Sequence, residues 1–202
     1  AAEVVWTRLL SLLLGTTTYT FSLILAAFLV GIGIGSSIGS VIARSAANAR
    51  TALGWCQALL VVGIAWAAYS LTLMLPYWPV NPGLASTPRY QFELDLVRCL
   101  WVVLPAALLW GASFPLALAG IGSGEKDGGR LVGRVYAANT VGAIVGALFA
   151  SLLLIAWIGT NNTERVMIAF AAIGALLMFL PTLSPDSAKV RVRKTGAVLG
   201  VV

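Results

Sequence analysis

Long uncharged apolar stretches alternate with short polar connections along the whole chain, and their lengths set the first reading. From Thr18 to Ile42 no residue is charged. About 25 such residues exceed the roughly 20 that an α-helix needs to cross a hydrocarbon core. Comparable stretches cover about 51–75, 96–120, 135–158 and 166–183, with incomplete ones at 1–15 and 196–202. The pattern predicts an all-α fold, a polytopic transmembrane helical bundle of about six spans in one transmembrane domain over residues 1–202. Both ends read as cut from a longer chain, since AAEVVW lacks a methionine and GAVLGVV stops inside an apolar run.

The connections carry the remaining pattern. Ala43–Arg50 is a short loop with two arginines and no acid, and Thr160–Arg165 reads as a tight polar connection. Pro76–Gln91 (PYWPVNPGLASTPRYQ) combines prolines, aromatics and small polar residues. That composition neither continues a helix nor suits lipid, so it predicts one long loop with Tyr77, Trp78 and Tyr90 as an aromatic belt. The fourth span holds Pro105 and Pro115 with Gly111 between them, which predicts a kinked helix.

Within the spans, glycines recur at helical spacing. Gly31, Gly35 and Gly39 share one face of the second span, and Gly142, Gly146 and Ala150 share one of the fifth. Small residues in register let two backbones approach closely, so both ladders predict packing seams, with substrate lining as the alternative for the Gly31–Gly39 face.

Composition narrows the class. Of 202 residues 59 % are hydrophobic and 10 % charged, with mean hydropathy +0.94, values of a membrane protein. The net charge of +6 is explained by loop bias better than by nucleic acid, which is not expected as a partner. Arg44, Arg50, Lys126, Arg130, Arg134, Lys189, Arg191, Arg193 and Lys194 fall on one side, nine in all. Arg8, Arg89, Arg98 and Arg165, four in all, fall on the other. The positive-inside rule then places the three basic loops in the cytoplasm and the aromatic loop outside.

Candidate chemistry is sparse. Histidine is absent and Cys56 and Cys99 stand alone, so no metal site, no cofactor and no histidine-based catalytic set is expected. The glycines of Ile121–Arg134 lack the GK[ST] ending of a phosphate loop. Trp6 and Arg8 suit a membrane-interface anchor, with Glu3 as an alternative functional carboxylate inside the membrane. Gln57 is the polar residue inside the third span, and Tyr136, Asn139 and Thr140 open the fifth. Glu3, Arg8, Gln57, Tyr136, Asn139 and Thr140 are therefore the residues expected to line a polar cavity, if the bundle encloses one.

Two stretches, EVVWTRLLSLLLGTTTYTFSLILAAFLVGIGIGSSIG and VGRVYAANTVGAIVGALFASLLLIAWIGT, resemble the membrane region of bacterial membrane-bound spermidine synthase-like proteins. In that family a major-facilitator-like helical domain is joined to an aminopropyltransferase. The family pattern Glu-x-x-Trp-x-Arg falls on Glu3, Trp6 and Arg8, and Tyr-Ala-x-Asn-Thr-x-Gly-Ala on Tyr136, Ala137, Asn139, Thr140, Gly142 and Ala143. The resemblance implies a major-facilitator-like half in a bacterial inner membrane, anchoring or serving an enzyme domain. This chain carries no GGGDG-type turn, and Phe92-Glu93-Leu94-Asp95, which resembles the family's donor-ribose motif, reads as loop chemistry. A secondary transporter for a small solute and a structural membrane subunit are the alternatives. The expected partners are the lipid bilayer and an enzyme domain or partner subunit.

Overall fold

A computed structural model of the chain describes residues 1–80, 83, 87–122 and 128–183. Every regular element among them is helical. The expected basic loop at 184–195, the expected seventh span at 196–202 and Lys126 lie outside the described residues.

The first helix, α1 (Ala2–Leu14), is about 20 Å long at 1.5 Å per residue, too short to cross a membrane. Gly15, with φ 98°, ends it where an L side chain would be strained. The second, α2 (Thr18–Ser45), starts at Thr17, whose hydroxyl accepts the Thr20 N–H at 3.2 Å. Asn48 caps α3 (Ala49–Tyr69) in the same way, its Oδ1 accepting from the Arg50 and Thr51 amides. A π-helical turn, Ser70–Met74, and a 3-10 turn, Leu75–Tyr77, prolong α3 beyond the expected end at residue 75.

The long loop expected over Pro76–Gln91 is shorter than that. The fourth helix, α4 (Pro88–Gly122), begins at a proline, whose fixed φ and missing N–H suit a first helical position. Glu93 and Asp95 are consequently helical rather than loop residues, paired with Arg89 (2.9 Å) and Arg98 (3.8 Å) one turn away. Both Pro105 and Pro115 lie inside this one helix.

After α4 come α5 (Gly128–Phe149), a second π turn (Ala150–Leu154) and α6 (Ile155–Leu183). The expected fifth and sixth spans fall in one apolar stretch, Val132–Leu180, 49 residues long, in which two helices meet at a kink at Gly159. Its only non-helical residue is Gly159, at φ 77° and ψ 171°. Thr160–Arg165, expected as a connection, is the helical start of the part beyond that break. Among the described residues four helical stretches can cross a membrane by length and composition: Thr18–Ser45, Ala49–Tyr77, Pro88–Ile121 and Val132–Leu180.

The tightest packing is between α2 and α4. A Cβ on Gly35 would overlap the Leu108 backbone carbonyl, one on Gly39 would come within 2.6 Å of Ala112, and one on Gly31 would strike Ala107. Gly111 of α4 returns the contact against Ile32. Gly33, between the ladder positions, has nothing within 4 Å of its Cβ position. The π-helical and proline irregularities of α3 and α4 also meet. Pro105 cannot donate to the Trp101 carbonyl four residues back, and the Trp66 indole N–H of α3 donates to that oxygen at 3.1 Å.

Two ends can be distinguished. Arg50 donates to the Leu177 carbonyl at 3.4 Å and lies beside Gly120, which groups the start of α3 with the ends of α4 and α6. Tyr19 packs on Phe92 and Trp78 on Trp101, which groups the start of α2, the end of α3 and the start of α4.

Candidate functional site

The core around α1 is aromatic. Trp6 has no exposed surface and lies 5.8 Å from Phe28 of α2 and 5.6 Å from Trp110 of α4, which are themselves 6.4 Å apart. Phe28 is ten residues beyond the start of α2, about 15 Å along it. Trp6 is therefore enclosed in the bundle core rather than displayed on a surface, and the interface-anchor reading of this residue is corrected. Its large ring fills the junction of three helices, which removes more apolar surface from contact with polar groups than an interfacial position would.

The indole N–H of Trp6 still needs an acceptor, and Glu164 Oε1 accepts it at 3.0 Å. Glu164 is 2 % exposed, a carboxyl group inside the bundle. The sequence pattern starts the sixth span at Val166 and so leaves Glu164 in a polar connection. A helix drawn from Thr160 would have put Glu164 on one face with Met167, Ile168, Ala171 and Ala175, the face that packs inward. Thr163, fully buried beside it, bonds back to the Gly159 carbonyl at 2.7 Å.

Phe28 and Trp110 have a second role. With their backs to Trp6 they form part of the wall of a cavity of about 780 Å³, to which all six helices contribute. Its walls include Ile32 of α2, Ile64 of α3, Phe149 beside the second π turn and Phe170 of α6. That size suits a ligand of drug-like dimensions, and the walls are overwhelmingly apolar. Among the described residues Glu3 is the one charged side chain in the walls and Gln57 the one amide.

The expected residues divide accordingly. Glu3, itself exposed, and Gln57 both line the cavity; Arg8, Tyr136, Asn139 and Thr140 do not, and all four are exposed. Tyr136 instead packs edge-on against Phe114, with ring centres 4.8 Å apart. The expected polar cavity is thus an apolar one: Asn139 shares the α5 face of Gly142 and Gly146 but lies a turn short of the cavity, and Tyr136 and Thr140 point off that face.

The two glycine ladders also differ. Gly31, Gly35 and Gly39 are buried against α4, whereas Gly142 and Gly146 line the cavity with no atom within 4 Å of their Cβ positions. From Val132 to Phe149 only Val135, Gly146 and Ala147 are even half-buried. No helix among the described residues is seated on this second ladder, so the cavity is a cleft whose α5 wall stands off from the bundle. Residues on both sides of Gly159, from Gly142 to Phe149 and from Val166 to Ala171, face the same cleft.

Among the described residues no group of three or more His, Cys, Asp or Glu side chains could hold a metal ion. Cys56 and Cys99 are both buried and free, Cys56 donating to the Leu109 carbonyl at 3.2 Å. Comparison with protein-family models, with curated proteins and with solved structures gives no match in any of the three.

Proposed function

We propose that the chain is the helical membrane domain of a spermidine synthase-like protein, anchoring an aminopropyltransferase and holding an amine-bearing ligand in the cleft between α5 and the rest of the bundle. The observation that carries the ligand reading is the composition of that cleft: one carboxylate, Glu3, and one amide, Gln57, in apolar and aromatic walls. A carboxylate at the edge of such a site favours a cation, and the faces of Phe28 and Trp110 favour it further. The family reading rests on the Glu3-Trp6-Arg8 and Tyr136–Ala143 patterns alone.

In this reading α2, α3 and α4 each cross the membrane once and Val132–Leu180 crosses it twice. A helical stretch of 49 residues would extend about 74 Å if straight, more than twice a hydrocarbon core, and the break at Gly159 lets it make two passes. Arg44, Arg50, Arg130 and Arg134 then face the cytoplasm of a bacterial inner membrane. The half would be of the major-facilitator type.

A second reading, secondary transport, is favoured by Glu164. Ionisable groups at membrane depth are costly and tend to serve ion or substrate movement, and this one lies directly behind the aromatic wall of the cleft. One experiment addresses both readings. The chain is reconstituted in nanodiscs and vesicles, and a panel of amines is tested for thermal stabilisation and for uptake. Stabilisation that disappears in Gly146→Leu, which fills the cleft, supports a ligand site; no stabilisation by any amine removes it. Uptake without a fused enzyme moves the assignment to transport.

A further inference from the structure

A cleft that binds amines could take a polyamine or an amine with one charge and an apolar body, and the two place opposite demands on its walls. A polyamine brings several ammonium groups spaced along its length, each needing a carboxylate, carbonyl or water. Among the described residues no lining side chain but Glu3 carries a charge, and beyond Gln57 the only polar group is the Trp110 indole N–H, a donor that an ammonium group cannot use. Each further ammonium group would enter an apolar wall unpaired, which costs far more than its carbon chain recovers.

The walls suit the other ligand. Ile32, Val145, Phe149 and Phe170 offer a continuous apolar surface leading away from Glu3. The α5 wall is also where the cleft is open. Nothing lies within 4 Å of the Cβ positions of Gly142 and Gly146, and most residues around them are exposed on a stretch long and apolar enough to cross a membrane. A ligand with an alkyl body therefore has a route sideways from the bilayer, whereas a polyamine would have to come from water.

We propose that the cleft binds a lipophilic amine of single positive charge, its ammonium group at Glu3 and Gln57 and its alkyl body along α5, entering laterally from the bilayer. This rests on the reading of the cleft as a ligand site and narrows the ligand's class. A single ammonium matches the single carboxylate, and an alkyl body converts the apolar walls from a penalty into the main source of affinity.

The test uses the full chain in nanodiscs and dodecylamine brominated on its chain, whose bromine quenches nearby tryptophan. Binding saturates and quenches Trp110 emission; a Trp110→Phe variant loses that component. Glu3→Gln weakens binding about ten-fold or more, as expected for loss of a charge-assisted contact. Dodecanol of equal chain length binds at least ten-fold more weakly, and spermidine displaces the probe only at concentrations high enough to screen charge. Gly146→Leu abolishes saturable quenching, and since its side chain enters open space the fold is retained, as helicity by circular dichroism checks. Equal binding of dodecanol, or an unchanged affinity in Glu3→Gln, overturns the proposal, because the probe is then merely partitioning into lipid. Tight spermidine binding with no dodecylamine binding overturns it while sparing the ligand site. Failure of every probe removes both.

Discussion

Trp66 and Trp101 show how one residue's missing hydrogen bond organises another's side chain. Pro105 leaves the Trp101 carbonyl without its helical donor, and the Trp66 indole supplies one from the neighbouring helix at 3.1 Å. In a bilayer no water competes for that oxygen, so Trp66→Phe should lower stability by about 1–3 kcal/mol, read as a lower melting temperature in detergent. The same change made together with Pro105→Ala should cost less, since alanine restores the backbone donor. A parallel argument applies to Glu164. Glu164→Gln keeps an oxygen for the Trp6 indole and should be nearly neutral for stability, whereas Glu164→Leu leaves that N–H buried and unpaired and should cost about 1–3 kcal/mol. Equal melting temperatures for the two variants would mean that the Trp6 contact does not hold α1 in place. Residue identity alone pointed to Glu3, Trp6 and Gln57, but which acid is buried depended on where the helix begins after Gly159.

At the scale of elements, the decisive contact is the close approach of α2 and α4. Gly35 and Gly33 belong to the same helix and the same sequence motif, yet only Gly35 has a backbone against it. Gly35→Ala should destabilise the protein and Gly35→Leu should prevent its accumulation in membranes. Gly33→Ala should be neutral or slightly stabilising, as alanine is the better helix former. Comparing folded yield by size-exclusion chromatography in detergent checks this, and equal loss for both positions would remove the seam. The ladder at Gly142 and Gly146 obeys the same sequence rule, but no helix is placed against it among the described residues, and its glycines border the cleft instead. Spacing reports that a close approach is sterically permitted; a facing helix is needed to make one. The boundaries were legible to within a few residues at Thr18, Ser45 and Ala49, where Thr17 and Asn48 cap. They were misjudged at Pro88, where composition suggested a loop and the first-turn position of proline allowed a helix.

For the whole molecule, the two groups of helix ends give a topology that chemistry can read. The native cysteines are both buried, so a membrane-impermeant maleimide reports only on introduced ones. In sealed vesicles Ala47→Cys should label from one side, and Tyr77→Cys and Asn161→Cys from the other. Labelling of Asn161→Cys together with Ala47→Cys would mean that Val132–Leu180 does not cross twice. The order of residues is enough to show that the chain is helical, where its membrane-length apolar stretches lie and which glycines are in register, because those depend on the length and period of local patterns. It takes the packed helices to show that Trp6 is core rather than interface, that Glu164 is buried, and that one glycine ladder is packed while the other borders a cleft. Each of these depends on which face of one helix meets another, and that is set by the joint packing of residues far apart in the chain, such as Trp6 and Glu164.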